Sequence, residues 1–287
     1  TLFPYTTLFR SYTHIKQSLA GIYSDSEASA LAKWILTEVF CLSTIDLYAG
    51  KDMNFSTKEY AKLEDILSRL KRYEPLQYIL GKTTFCGLPF EVAPGVLIPR
   101  PETEELVDWI ISDYLEKSEV RILDIGTGSG CIPITLARRL KNSKVTSWDV
   151  SPEALAIAER NKRLNDVEIT LAQIDIFDST LPEIHADVLV SNPPYVTEKE
   201  RSDMERNVLD WEPELALFVP DSDPLLFYRR IAEVGCDILS SGGILYYEIN
   251  RAYGSETVTL LEQMGYKSVE LRKDQFGNDR MVKALRP

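Results

Sequence analysis

Apolar residues near the start of the chain recur three and four positions apart. Ala28, Leu31, Ala32, Ile35, Leu36 and Val39 form one such series, which puts them on a single helical face. Ser56 with Glu59 three residues later is a capping box, and it opens a second helix with Tyr60, Leu63, Ile66, Leu67 and Leu70 on its buried side. Residues 12–74 therefore read as a small helical domain. The period then breaks. Pro75, Gly81, Gly87, Pro89, Pro94, Gly95, Pro99 and Pro101 punctuate residues 75–101, and "TTFCGLPFEV" within them reads as a short hairpin with Gly87 in its turn. This stretch is expected to link two domains.

From Glu102 onward the pattern alternates. Short apolar runs predict strands at "VRILDIG" (120–126), "KVTSWDV" (144–150), "EITLAQ", "ADVLVSN" and "GGILYYEIN". Helical spacing fills the gaps, at about 102–116, from Ser129 to Leu140, through "SPEALAIAERNKRLN", and around Asp223 to Leu239 and Ser255 to Met264. Strands alternating with helices at this spacing imply a parallel sheet covered on both faces. "KSVELRKD" and "RMVKALRP" are expected to pair as a hairpin at one sheet edge. Residues 102–287 are thus expected to form a single α/β domain.

Composition narrows the function. A net charge of −12 argues against a protein that grips nucleic acid through its phosphates. The four cysteines form no CxxC and the only histidines are His14 and His185, so no metal site is expected and the thiols fit a reducing, cytoplasmic setting. No apolar run approaches the ~20 residues that span a bilayer. Residues 1–11, "TLFPYTTLFRS", show no targeting layout and match the translation of a common sequencing-library adapter. They are read as a non-native segment, with native sequence starting near Tyr12.

Two stretches carry chemistry. In "ILDIGTGSGCIPITLA" (122–137) the turn after the first strand holds Gly126, Thr127, Gly128, Ser129 and Gly130, preceded by Asp124. The spacing is GxGxG, not the GxGxxG of a pyrophosphate site, and the loop has no Walker lysine. An acidic loop without that lysine suits a ligand with an amine and no phosphate. Asp149 ends the second strand, where a carboxylate can accept both ribose hydroxyls of an adenosine. Asp175, Ile176 and Phe177 follow the third strand and suit an adenine edge and face. The competing reading is that Asp149 only caps the helix beginning near Ser151 and that the glycines only turn the chain. The second stretch is Ser191, Asn192, Pro193, Pro194 and Tyr195 at the end of the fourth strand. Two prolines end the strand and stiffen the backbone beside an amide and an aromatic ring.

The GxGxG loop, the acid ending the second strand and NPPY after the fourth resemble the seven-stranded S-adenosylmethionine-dependent methyltransferases, a Rossmann-like fold. Within them "PLQYILG", "LIPRPETEELV", "DIGTGSG" and "SNPPY" resemble the PrmC/HemK family of release factor glutamine N5-methyltransferases, which also carry a small N-terminal helical domain. The resemblance implies S-adenosyl-L-methionine as cofactor, held by residues 124 and 126–130, Asp149, Asp175, Ile176, Phe177 and Asn192. It implies as substrate the glutamine of the Gly-Gly-Gln loop of class I peptide chain release factors, bound by Asn192, Pro193, Pro194 and Tyr195. Neither direct nucleic-acid binding nor a membrane is implied. A ribosomal-protein glutamine methyltransferase resembles the catalytic body but carries a different sequence in place of "PRPETEELV". An adenine-N6 DNA methyltransferase shares NPPY but needs base flipping and a charged-strand groove.

An amide needs such a platform because its nitrogen lone pair is delocalised and no side chain can deprotonate it outright. Holding both amide protons, with the Asn192 side-chain oxygen and the Pro193 carbonyl, aims the nitrogen at the methyl group. Tyr195 is expected to pack on the amide plane, and Asn192, Pro193 and Tyr195 are expected to be catalytic. Arg100 to Glu104 are expected in support, beside the pocket, while Pro101 and the following acids also suit a helix N-terminus.

Overall fold

The computed structural model describes residues 8–49, 55–117 and 119–287. Its chain divides into two compact units that meet in sequence at Leu80 and Gly81. The first contains α1 (Leu8–Leu19), α2 (Asp25–Glu38), α3 (Thr44–Ala49), α4 (Thr57–Leu70) and α5 (Leu76–Leu80). Its core gathers Ile15 and Leu19 with Ile35, Leu36, Leu67 and Leu70. The capping box forms at α4: Glu59 N–H donates to Ser56 Oγ at 3.2 Å, and Ser56 N–H donates to Glu59 at 2.8 Å. Tyr60, expected on the buried side, is 40% exposed and stacks its ring on His14. Residues 1–7 of the suspected non-native segment lie outside the described residues, and residues 8–11 run into α1 without a break, with Ser11 buried. The expected start near Tyr12 therefore falls within a helix.

The second unit opens with β1 (Lys82–Phe85) and β2 (Leu88–Glu91), antiparallel partners joined at Cys86 and Gly87, both with positive φ. Next come α6 (Pro101–Tyr114), β3 (Val120–Ile125), α7 (Cys131–Arg139), β4 (Ser143–Asp149), α8 (Pro152–Leu164), β5 (Thr170–Gln173) and β6 (Ala186–Ser191). A stretch without long elements follows, holding β7 (Val196–Thr197), a 3-10 turn (Glu198–Asp203), α9 (Arg206–Leu209), α10 (Glu214–Leu217) and β8 (Phe218–Val219). The chain closes with α11 (Leu226–Ile238), β9 (Leu239–Glu248), α12 (Gly254–Gln263), β10 (Lys267–Lys273) and β11 (Asp279–Leu285).

Seven strands make one sheet in the order β10-β11-β9-β6-β3-β4-β5. The five strands from β9 to β5 run parallel, and the hairpin β10–β11 joins antiparallel at the β9 edge. The apolar runs alternate between faces: Ile122, Val188 and Val190 enter one core with Leu106 and Ile110 of α6, while Leu123 and Leu189 enter the other with Ile231 and Ala232 of α11. From β3 the chain winds outward through β4 and β5, then returns to place β6 on the opposite side of β3. At that reversal the segments leaving the carboxyl ends of β3 and β6 lead to helices on opposite faces of the sheet, α7 and α11, the usual place for a binding crevice in such sheets.

The hairpin differs from the expected linker. Phe85 and Phe90 are buried in the first core, and the side chain of Asn161 on α8 accepts from Glu91 N–H at 2.6 Å and donates back to Glu91 O at 2.9 Å. Its two aromatic rings make it part of the α/β unit; the many glycines and prolines around them made the segment read as a connector.

Candidate active site

The cleft at the β3/β6 reversal has a volume of about 360 Å³ and is lined mainly by apolar groups. One wall is the loop after β3. Its glycines all have positive φ, and a Cβ on Gly130 would come within 2.8 Å of the Ile134 side chain and 3.2 Å of Ala158, so both conformation and space demand glycine there. The loop is fastened from below. Ser147 Oγ donates to Asp124 at 2.5 Å and is also hydrogen-bonded to Thr127, while Ser129 O accepts from Asn161 at 2.9 Å.

Asp149 reaches back from β4. Its two oxygens accept Gly128 N–H at 2.8 Å and Ser151 N–H at 2.9 Å, which leaves lone pairs on both for a further donor. The helix cap itself is Ser151, whose Oγ accepts from Ala154 N–H at 3.1 Å. Burial raises the pKa of the Asp149 carboxyl, and its backbone donors pull the other way. Asp175, Ile176 and Phe177 line the same cleft, with Phe177 edge-on to Phe227 at 5.4 Å. Asp124 does not line it. That carboxyl is fully enclosed under the loop, one oxygen has no hydrogen-bond partner among the described residues, and burial pushes it up to about 7.

The facing wall is NPPY. Ser191 Oγ donates to Ile125 O at 2.7 Å, tying the end of β6 to the end of β3. Asn192, Pro193 and Pro194 line the cleft. Tyr195 does not: its ring packs into the second core and its hydroxyl donates to Glu248 at 3.1 Å. A buried phenol needs a hydrogen-bond partner, and that carboxylate draws the ring inward, away from any amide in the cleft. The backbone of Tyr195 is held too, its N–H by Leu217 O at 3.2 Å and its O by Asn250 at 3.0 Å.

Thr103, from the expected supporting segment, and Glu248, outside the expected set, complete this wall. Thr103 on α6 donates to Glu248 Oε2 at 2.6 Å, and Asn192 Nδ2 donates to Thr103 Oγ1 at 3.2 Å. Glu248 is 1% exposed; burial raises its pKa, while Thr103, the Arg280 charge and Tyr195 lower it. Arg100 and Glu212 form a second anchor. Glu212, itself buried, accepts from Arg100 at 2.5 Å and from Ile98 N–H at 3.1 Å, fixing the stretch whose Pro213, Leu215 and Ala216 line the cleft. Thr103 and Arg100 lie inside the segment expected to support the pocket. Glu248 ends the apolar run "GGILYYEIN", and a lone acid there is its only sequence signal. No cluster fit to hold a metal ion occurs among the described residues.

Residues 12–81 match the family model described as PrmC N-terminal domain, and residues 107–210 match the one described as Methyltransferase small domain. A release factor glutamine methyltransferase of Bacteroides thetaiotaomicron is 50% identical over 278 residues, covering 96% of this chain and 99% of the relative. The chain belongs to the release factor glutamine methyltransferase family. Another family member, from Flavobacterium psychrophilum, is 47% identical over 280 residues, covering 96% and 98% of the two chains. The family's sheet is the S-adenosylmethionine-dependent methyltransferase fold: a 16S rRNA methyltransferase of T. thermophilus solved with AdoMet superposes with a TM-score of 0.52 at 16% identity, covering 72% of this chain and 50% of that one. No helix among the described residues of this family member is long and apolar enough to cross a membrane.

Proposed function

We propose that this chain uses S-adenosyl-L-methionine to methylate N5 of the glutamine in the Gly-Gly-Gln loop of class I peptide chain release factors, in the cytoplasm. The observation that carries this reading is one cleft with two unlike walls, a glycine cradle beside an acid with free lone pairs on one side and an amide on a proline-stiffened backbone on the other. The residues fit the cofactor. Asp149 has acceptor capacity for the ribose hydroxyls, the open space over Gly128 leaves the loop backbone approachable, and Ile176 and Phe177 offer apolar surface to adenine with Asp175 at its edge. Asp124 lies enclosed beneath the loop and supports the cradle through Ser147 instead of a direct contact.

When bound, the cofactor supplies an electrophilic methyl group on a sulfonium. The chain's own residues supply position. Asn192 Oδ1 and the Pro193 carbonyl accept the two N–H protons of the substrate amide, which turns its nitrogen toward the methyl group; orientation of this kind is worth up to ~7 to 11 kcal/mol over random encounter. Pro193 and Pro194 bring no N–H of their own to compete. Tyr195 contributes through Glu248, not by stacking on the substrate. The apolar lining excludes water that would otherwise bond the amide. The helical unit, expected at residues 12–74 and ending at Leu80 in the structure, is assigned to contact with the rest of the release factor.

Mass spectrometry of purified release factor incubated with the protein and cofactor tests this. One added methyl on the loop glutamine is expected. Methylation of a ribosomal-protein glutamine with the release factor untouched would overturn it.

A further inference from the structure

An asparagine side chain can sit in two orientations that differ only in which end is oxygen and which is NH2, and the proposed chemistry at Asn192 works in one of them. The geometry points to Thr103 and Glu248 as positioning residues that set this orientation, with Glu248 fixing the polarity of a relay that ends at the Asn192 amide. This rests on the release factor reading for its substrate, and on the structure alone for its geometry.

The relay runs through a single proton. Thr103 has one hydroxyl hydrogen, and it is committed to Glu248 Oε2 at 2.6 Å. Only lone pairs then remain on Thr103 Oγ1, so it can only accept. Asn192 must present its NH2 there, as it does at 3.2 Å, which leaves Oδ1 as the end able to accept from a group in the cleft that Asn192 lines. Glu248 takes the acceptor role in this pair, its Oε2 receiving the Thr103 hydroxyl. Its other oxygen accepts the Tyr195 hydroxyl at 3.1 Å, and the Arg280 charge nearby favours the carboxylate. A neutral amide in place of Glu248 could donate to Thr103, which would free the threonine proton to bond Asn192 Oδ1 and reverse the amide. Thr103 is 2% and Glu248 1% exposed, so bulk water does not compete for the bond between them.

The test uses Thr103→Val, Thr103→Ser and Glu248→Gln in the full chain. Single-turnover methylation of release factor at saturating cofactor is expected to slow about 10- to 100-fold in Thr103→Val and Glu248→Gln, the scale of a misplaced reacting group. Cofactor affinity and the KM for release factor are expected to stay within about threefold, and Thr103→Ser, which keeps the hydroxyl, to keep most of the rate. Losses in KM or cofactor affinity instead of turnover, or a slow Thr103→Ser, would overturn the assignment. A second readout needs no substrate. The side-chain NH2 resonances of Asn192, identified by their loss in Asn192→Ala, are expected to shift in Thr103→Val and hold in Thr103→Ser. Unshifted resonances in Thr103→Val overturn the relay even if the wild-type protein leaves release factor unmethylated, which would count against the functional reading alone.

Discussion

Asp124 and Glu248 stand at the carboxyl ends of two parallel strands of one sheet, both enclosed, both with pKa raised by burial. Their partners differ. Glu248 spends one oxygen on Thr103 and the other on Tyr195, and lies in the field of Arg280. Asp124 has Ser147 on one oxygen, no partner on the other, and the like charge of Asp149 nearby. A buried carboxylate with a donor on each oxygen is part of the scaffold. One left half-answered is either protonated or compensated by a cation. The NPPY wall therefore has its buried acid answered by the protein on both oxygens, and the glycine-loop wall does not.

The sharpest way to break this contrast is at the end of the NPPY wall. Asn192→Ala is expected to cut turnover about 10²- to 10⁴-fold while the fold persists and cofactor affinity changes little. Near-normal single-turnover methylation would reduce NPPY to a strand-ending turn.

On the glycine-loop wall, Asp124→Asn probes the missing partner through pH. A carboxyl raised in the folded state to about 7 stabilises the protein fully below its unfolded pKa, and that contribution is lost as pH rises through about 7. In the cofactor-free protein, the stability of the variant relative to wild type should rise by about 2–3 kcal/mol between pH 5 and pH 8, since each pKa unit is worth about 1.4 kcal/mol. Urea unfolding at the two pH values measures it; parallel pH dependence in the two proteins would show that Asp124 is already compensated.

Asp149→Ala is expected to weaken S-adenosylmethionine binding by ~1.5 to 3 kcal/mol, the contribution of hydrogen bonds to a charged acceptor. Calorimetry decides it, and unchanged affinity in a folded variant would leave Asp149 as a loop fastener for Gly128 alone. The smallest effect belongs to Tyr195→Phe. It removes one of two donors to Glu248 and no cleft contact, so turnover should fall less than about tenfold and stability by about 1 kcal/mol. A loss as large as that of Asn192→Ala would put the tyrosine in the cleft after all.

Strands and helices of the second unit were legible because burial on both faces leaves unbroken apolar runs, as at Val188, Leu189 and Val190. The loop and NPPY were legible for a different reason: positive φ at Gly130 and a donor-free backbone at Pro193 and Pro194 each restrict the residue type. Glu248 had no such mark. Among 44 acidic residues nothing local singles it out, and its partner Thr103 is 145 positions away. Asp124 was read as a ligand contact because position in a motif does not tell which side of a loop a side chain lies on. The stretch from β7 to β8 was not read at all, since its elements are too short to show a period.

Asn161 has a kinetic consequence. Its one side chain holds Glu91 in the hairpin and Ser129 in the cofactor loop. The Glu91 amide hydrogen can exchange with solvent only when Asn161 lets go, and the same event releases the loop carbonyl. Hairpin and loop thus open as one cooperative unit, and deuterium uptake at Glu91 times the breathing of the cofactor cradle from a site that never touches the cofactor.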